Sequence, residues 1–355
     1  MEAKEIPVCS AATFQELIER DFTVLASTPF IIKGYVEQWP AWTRWRDHGL
    51  LRERFGHLPV TAGAPQFTTH RDTRMCQVRT DFATYLDYVA DPAAIDELFA
   101  GRWTRGDSTL LKELGLPLYC GNLQLVRHAR DAVFDEISPS VPPGLGCLND
   151  EIPYYYQSGN HVWLYVSLRG ALTPLHQDNN AVIAYLGQLQ GEKEAILYSP
   201  TDRAHFYSAG VGYLDPLNPD DVDFPTWRKA TPWRGRLGPG DLLIWGPNWA
   251  HHVVTLSDSI TVSHDMVSML NLAEYAGSAD WRGELGHFAR KHADLVRART
   301  QDKRLHALLD DGELDDIGQS LMAVVLANAL KGDLSARSRA TKQALLDALD
   351  AQAVA

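Results

Sequence analysis

A chain of 355 residues and 39.6 kDa with 45% hydrophobic residues can bury the core of one large domain or two modest ones, which excludes a disordered segment. Its 45 acidic and 33 basic residues leave a formal charge of -12, which argues against the clustered Lys and Arg of a nucleic-acid reader. No run approaches the roughly 20 apolar residues of a membrane helix, and the opening Met1-Glu-Ala-Lys-Glu-Ile-Pro7 lacks the apolar segment of a signal peptide, so a soluble, cytoplasmic protein with no membrane partner is expected.

In chain order, Thr13-Phe-Gln-Glu16 is a capping-box pattern and predicts a short helix to about Arg20. Phe30-Ile-Ile-Lys33 reads as a strand, followed by the aromatic stretch Trp39-Pro-Ala-Trp42 and Trp45. Residues 81–90 predict a helix with Phe82, Tyr85, Leu86 and Val89 on one side. Between 102 and 160, Pro117, Pro139, Pro142, Pro143 and Pro153 predict a loop-rich region. Cys9, Cys76, Cys120 and Cys147 lie far apart with no C-x-x-C pair, which predicts buried or half-buried thiols, not a disulfide scaffold or a zinc ribbon.

From residue 161 the period becomes two: Val162, Leu164, Val166 and Leu168 alternate with Trp163, Tyr165, Ser167 and Arg169. Further short strands are expected at 181–186, 194–198, 241–245, 253–256 and 260–263, a mostly β sandwich or barrel. No proline follows Pro247, so the chain changes character near residue 275 and its remainder should be helical. Leu314, Ile317, Leu321, Val324 and Val325 mark one helix after the acidic stretch 310–316, Leu334, Leu345, Leu346 and Leu349 a second, and 281–299 a third. The expected division is a domain over 1–275, with α/β elements to 160 and core strands over 161–270, and a C-terminal helical domain over 276–355.

Three H-x-D triplets occur. His70-Arg-Asp72 lies in a polar run, and His292-Ala-Asp294 in the predicted tail helix, where residues two apart point to different faces. Both read as solvated surface. His176-Gln-Asp178 instead follows a strand through the turn Thr173-Pro-Leu175, and on an extended chain its imidazole and carboxylate project to one side. A distant second histidine would complete the 2-His-1-carboxylate facial triad of non-haem Fe(II) oxygenases, which leaves the opposite face open. Trp249-Ala-His251-His252-Val253 supplies two candidates, of which alternation allows one inward; His251 is the expected ligand, with His252 outward or behind it.

Thr173-Pro-Leu-His176-Gln-Asp178, Gly191-Glu-Lys193-Glu-Ala-Ile-Leu-Tyr198-Ser-Pro200, Pro239-Gly-Asp241 and Trp249-Ala-His251-His-Val253, in that order, resemble the JmjC or cupin-like 2-oxoglutarate oxygenases. Pro29-Phe-Ile-Ile-Lys-Gly34, Gln38-Trp-Pro-Ala41 and Asp223-Phe-Pro225 add to the resemblance, which covers about residues 5 to 270. It implies a double-stranded β-helix (a cupin jelly roll) with flanking helices and a C-terminal α-helical unit that pairs two copies into a homodimer. His176, Asp178 and His251 would then hold iron, with Lys193 and Thr173 on the distal carboxylate of 2-oxoglutarate and Tyr119 reaching the same co-substrate. Ser263 stands where some members have asparagine. His176 and Lys193 are two residues further apart than the commonest spacing, so a bulge or longer turn must keep Lys193 inward.

The implied activity is Fe(II)-, 2-oxoglutarate- and O2-dependent hydroxylation of an unactivated C–H bond in an amino-acid-like small molecule, peptide or protein side chain. N-demethylation by the same chemistry, a metal cupin that does not use 2-oxoglutarate, and a non-catalytic jelly roll are the alternatives. The insert from Pro200 to Arg236, with His205, Tyr207, Tyr213, Trp227, Arg228 and Trp233, should border the entrance, and the acidic balance favours a neutral or basic substrate.

Overall fold

The computed structural model describes residues 3–275 except 22, 66–73, 148, 150–160, 269, 272 and 273. The three tail helices, the domain over 276–355 and the triplets at 70–72 and 292–294 lie outside the described residues. Among the described residues, no helix is long and apolar enough to cross a membrane.

The first helix spans Ala11–Arg20 and begins two residues before the expected box. Ser10 is its cap, with Oγ accepting the Thr13 N–H at 3.1 Å, and this start places Phe14 and Ile18 one turn apart on the buried face. The helix Phe82–Ala90 is capped by Asp81, which accepts from the Thr84 N–H at 2.8 Å. Phe82, Tyr85 and Leu86 are buried as expected, Tyr88 is buried as well, and Val89 is half-buried. The described part of the region 102–160 carries more regular structure than its prolines suggest, with the helices Ser108–Leu114 and Leu125–Glu136 and two strands. Pro117 falls between two of these elements and Pro139 just after the last of them, so both mark boundaries without dissolving what they flank. Cys76 and Cys120 are buried and Cys9 and Cys147 half-buried, and none is joined in a disulfide.

Seven strands precede the core: β1 (Lys4–Glu5), β2 (Val8–Cys9), β3 (Phe30–Ile32), β4 (Pro59–Ala64), β5 (Cys76–Asp81), β6 (Trp103–Arg105) and β7 (Tyr119–Leu123). Then come β8 (Val162–Ser167), β9 (Leu172–His176), β10 (Ile183–Gln190) and β11 (Lys193–Tyr198), the hairpin β12 (Tyr207–Ser208) and β13 (Gly212–Tyr213), and β14 (Pro232–Leu237), β15 (Leu242–Trp245), β16 (Ala250–Thr255) and β17 (Ser259–Met266). The strands form one sheet in the order β1-β14-β11-β16-β9, a second in the order β2-β3-β15-β10-β17-β8-β7-β4-β5-β6, and the β12-β13 ribbon. Four core strands in each large sheet, β14-β11-β16-β9 facing β15-β10-β17-β8, make the jelly roll, which accords with the cupin fold expected.

Two core strands differ from the sequence reading. The segment 173–175, expected as a turn, belongs to β9: Pro174 is accommodated because β9 is the sheet edge and its pairing with β16 shifts register between His251 and Val253. Strand β14 was hidden by its Pro-Trp-Arg-Gly-Arg composition.

Alternation sorts the side chains. Ile183 and Tyr185 of β10, Leu164 and Val166 of β8, and Ile260, Val262 and Met266 of β17 pack outward against the front helices, with Trp39 and Tyr35. Ala184, Leu186, Ala195, Leu197, Leu243, Trp245 and Val253 fill the space between the two sheets. Ile196, Tyr198, Leu175 and Ala250 pack beneath the insert with Phe206, Leu214 and Phe224. Trp233, expected at the entrance, is instead on β14 between the sheets, 6.0 Å from Trp249 edge to face.

Candidate metal centre

His176 ends β9, and Asp178 follows in an extended conformation (φ -66°, ψ 151°), so the two project to one side although the strand has ended. His251 on β16 is the direct register partner of His176. The rings are 4.1 Å apart between centroids, and Asp178 Oδ1 lies 3.7 Å from His176 Nε2 and 3.8 Å from His251 Nε2. One donor atom from each of the three lies within 4.8 Å of the others, the one such group among the described residues.

The backbone fixes which nitrogens face inward. His176 Nδ1 lies 2.9 Å from the Pro174 carbonyl and His251 Nδ1 3.4 Å from the Trp249 carbonyl, which leaves both Nε2 atoms for an ion. Burial pushes the His251 imidazole down to about 4, so it is neutral and ready to ligate at physiological pH. Trp245 covers it at 4.5 Å. The His251 side chain is 7% exposed while Asp178 is 23% exposed, so the centre is closed on one side and open on the other. Two imidazoles and a carboxylate on one side of an open position fit a divalent first-row metal.

His252 points to the opposite face of β16, paired with Ile196, yet it is buried. It is outward with respect to the chamber, without being solvated, and burial also lowers its imidazole to about 4.

Lys193 opens β11 and is 1% exposed, on the same inner side as Ala195 and Leu197. Its ammonium donates to the Tyr119 hydroxyl at 3.3 Å and lies 5.2 Å and 5.9 Å above the rings of Tyr119 and Tyr165. No carboxylate among the described residues pairs with it, and burial lowers it to about 7. Tyr119 is also hydrogen-bonded to Thr173 and is raised above the usual phenol range by burial. Ser263 lies on the inner face of β17 and bonds Tyr165. The four residues thus converge on one chamber, Lys193, Tyr119 and Thr173 in direct contact and Ser263 through Tyr165.

The longer His176-to-Lys193 spacing is taken up in two places. A single 3-10 turn at Asn179–Ala181 has positive φ at Asn180 (63°) and Ala181 (49°), and the β10 pairing with β17 bulges between Gln188 and Gln190. Gly191 closes the turn at φ +73°, where a Cβ would stand 2.1 Å from the Asp258 carbonyl oxygen.

The insert meets the centre through Gln177, between the two β9-side ligands. Arg203 Nε and Tyr213 Oη donate to Gln177 Oε1 at 3.1 and 3.2 Å, and Gln177 Nε2 donates to the Asn248 carbonyl. Arg203 stacks over Tyr207 at 3.8 Å. His205, Trp227 and Arg228 are engaged within the insert, on Thr226 and Asp221. Sequence reasoning missed Tyr165, Trp245 and Gln177 as parts of the site. The inward phase of the period-two pattern on β8 and β15 carries the first two, and Gln177 has no signal beyond its place between the ligands.

Residues 15–266 match the family model of the cupin-like domain. Jumonji C domain-containing protein 5 of Drosophila melanogaster is 23% identical over 279 residues, 73% of this chain and 59% of that protein. JmjC domain-containing protein D of Dictyostelium discoideum is 22% identical over 251 residues, 67% of this chain and 51% of that protein. tRNA wybutosine-synthesizing protein 5 of Gallus gallus is 29% identical over 107 residues, 30% of this chain and 34% of that protein. The chain therefore spans between about a third and three fifths of these relatives. With a matching family model over most of its length, a jelly roll and a His-Asp-His cluster at its open end, the chain belongs to the JmjC and cupin-like family, whose members are typically oxygenases.

Proposed function

We propose that this chain is an Fe(II)- and 2-oxoglutarate-dependent oxygenase that hydroxylates an unactivated C–H bond of an amino-acid-like, peptide or protein side-chain substrate. The observation that carries the reading is Lys193: a buried ammonium with no carboxylate partner among the described residues, held by Tyr119 in the chamber that contains His176, Asp178 and His251. A lone buried charge is costly, and an incoming dianion offsets that cost.

His176, Asp178 and His251 would bind Fe(II) on one side and leave the other to co-substrate and O2. With 2-oxoglutarate and O2, the iron supplies an oxidant strong enough to hydroxylate a C–H bond as 2-oxoglutarate is converted to succinate and CO2. Lys193, Tyr119 and Thr173 anchor the distal carboxylate and orient the 2-oxo acid toward the metal ligands. Trp245 and Val253 keep water from the closed side, while the open side beside Asp178 admits the substrate.

The test is purified Fe(II)-loaded protein with candidate substrates, following succinate and a 16-dalton gain in substrate mass. Succinate that requires 2-oxoglutarate supports the reading. Oxidation independent of 2-oxoglutarate would transfer the chain to metal cupins of another chemistry, and loss of a methyl group as formaldehyde would make it a demethylase. Pairing of two copies through residues 276–355 belongs to the same proposal; a monomer in sedimentation at micromolar concentration removes it.

A further inference from the structure

Backbone conformation singles out the two loops that carry the metal ligands. Among the described residues, the non-glycine residues with φ in the left-handed region are Asn180 (63°), Ala181 (49°) and Asn248 (62°). The first two follow Asp178 by two and three residues, and the third precedes His251 by three. A side chain in that region costs free energy, less for asparagine than for alanine, and such a conformation persists where surrounding contacts hold it.

Those contacts come from the chain that follows β17. Asn271 is fully buried, and its Nδ2 donates to the Ala181 carbonyl at 2.9 Å and to the Met266 carbonyl at 3.2 Å. Its Oδ1 accepts the Ser268 N–H at 2.8 Å, so the amide is locked between the end of β17 and the turn behind Asp178. Four residues on, the buried Tyr275 donates its N–H to the Asn271 carbonyl at 2.8 Å. Beside it the exposed Glu274 accepts from Asn248 Nδ2 at 3.1 Å, and the Asn248 carbonyl receives Gln177 Nε2. One short segment therefore grips the loop after two ligands and the loop before the third. Asp178 lies beyond the last residue of β9, so the turn that follows it sets where its carboxylate points. Relaxation of Asn180 and Ala181 toward ordinary φ would swing that carboxylate away from the two imidazoles.

We propose that the segment from Ser268 to Tyr275 is a strap that sets the spacing of the metal ligands, with Asn271 the positioning residue for Asp178 and Glu274 the positioning residue for His251. This rests on His176, Asp178 and His251 being metal ligands, and not on the identity of co-substrate or substrate. The strap gives the ligand set a rigid support that neither loop supplies by itself.

The test measures Mn(II) affinity and the Mn(II) electron paramagnetic resonance spectrum of the full chain. Asn271→Ala should weaken Mn(II) binding about tenfold, the scale of losing a group that orients a ligand, and broaden the spectrum as the Asp178 carboxylate takes several positions. Asn149→Ala is the structural control: Asn149 holds the same stretch through the Asp265 carbonyl at 2.7 Å and the Val267 N–H at 2.9 Å without touching Ala181. It should lower Tm and leave affinity and spectrum unchanged. Glu274→Ala should weaken binding about threefold, and Glu274→Gln, which keeps an acceptor for Asn248 and removes the charge, should restore it. Because Glu274 is exposed, this pair decides the question even where Asn271→Ala fails to fold. An unchanged affinity and spectrum in Asn271→Ala overturns the proposal, as does an equal loss in Asn149→Ala or a Glu274→Gln variant no better than Glu274→Ala. Turnover of 2-oxoglutarate is followed separately: its absence with these Mn(II) effects intact removes the oxygenase reading and leaves the strap standing. No uptake of Mn(II) by the unaltered chain overturns both.

Discussion

Lys193 donates to the Tyr119 hydroxyl at 3.3 Å, and this neutral phenol is the one hydrogen-bond partner its buried ammonium has among the described side chains. A hydroxyl shared with Thr173 cannot compensate a full charge, so Lys193 is held at the expense of stability.

Substituting Lys193→Met should therefore stabilise the protein while raising the 2-oxoglutarate concentration needed for turnover. The sign follows from the depressed ammonium. Below about pH 7 the lysine is charged in both the folded and unfolded chain and its desolvation cost is fully present; as pH rises from about 7 toward the unfolded value the cost disappears. The gain in Tm of the Met variant should shrink across that window. A Tm that falls at pH 6, or an unchanged 2-oxoglutarate requirement, contradicts the assignment.

The same depressed value sets a pH dependence on the co-substrate. Above about pH 7 empty Lys193 loses its proton, so binding of 2-oxoglutarate must take one up. Affinity measured by calorimetry should weaken as pH rises from 7 to 9, and the heat should vary with the ionisation enthalpy of the buffer. A flat affinity over this range argues that Lys193 does not meet the dianion.

His176→Ala and Asp178→Ala should each abolish turnover and the rise in Tm that Mn(II) gives the unaltered chain, because an ion that binds only the folded state stabilises it by mass action. Scanning fluorimetry with and without the metal reads this directly. Retention of the Mn(II) shift by both variants would remove these residues from the centre.

Gln177→Ala cuts the bonds to Arg203, Tyr213 and Asn248 while leaving the ligands in place. Gln177 acts as a positioning residue between the insert and the metal, so its loss should raise the KM for substrate more than it lowers kcat, with Mn(II) binding unchanged. An equal fall of Mn(II) affinity would make Gln177 a support of the ligands themselves.

Gly191→Ala should destabilise folding by about 2 kcal/mol or more, since it adds both a left-handed φ for a side chain and a clash with the Asp258 carbonyl. Urea unfolding measures it. A change under about 0.5 kcal/mol would show that this turn relaxes freely.

Much of this was legible in the sequence because it depends on periodicity. The alternation from Val162 to Leu168 yielded β8, and the single inward histidine of the His251-His252 pair follows from the same geometry. The edge strand β9 was not legible, since Pro174 signals a turn unless one knows that no second neighbour asks for its missing N–H. The cap at Ser10 was obscured by the more complete box at Thr13. Tyr165 was overlooked as part of the site because its position acquires meaning only when strands distant in sequence are brought into register.

The edge position of β9 has a mechanical consequence. His176 sits on a strand tied to the sheet by β16 alone, through a ladder already broken by a register shift, whereas His251 sits on a strand secured on both sides by β9 and β11. An ion gripped by both imidazoles is therefore a transverse stitch that fastens the loose margin of the sheet to its interior. Without it, β9 is the first part of the jelly roll to peel, and its amides exchange with deuterium well before those of β16.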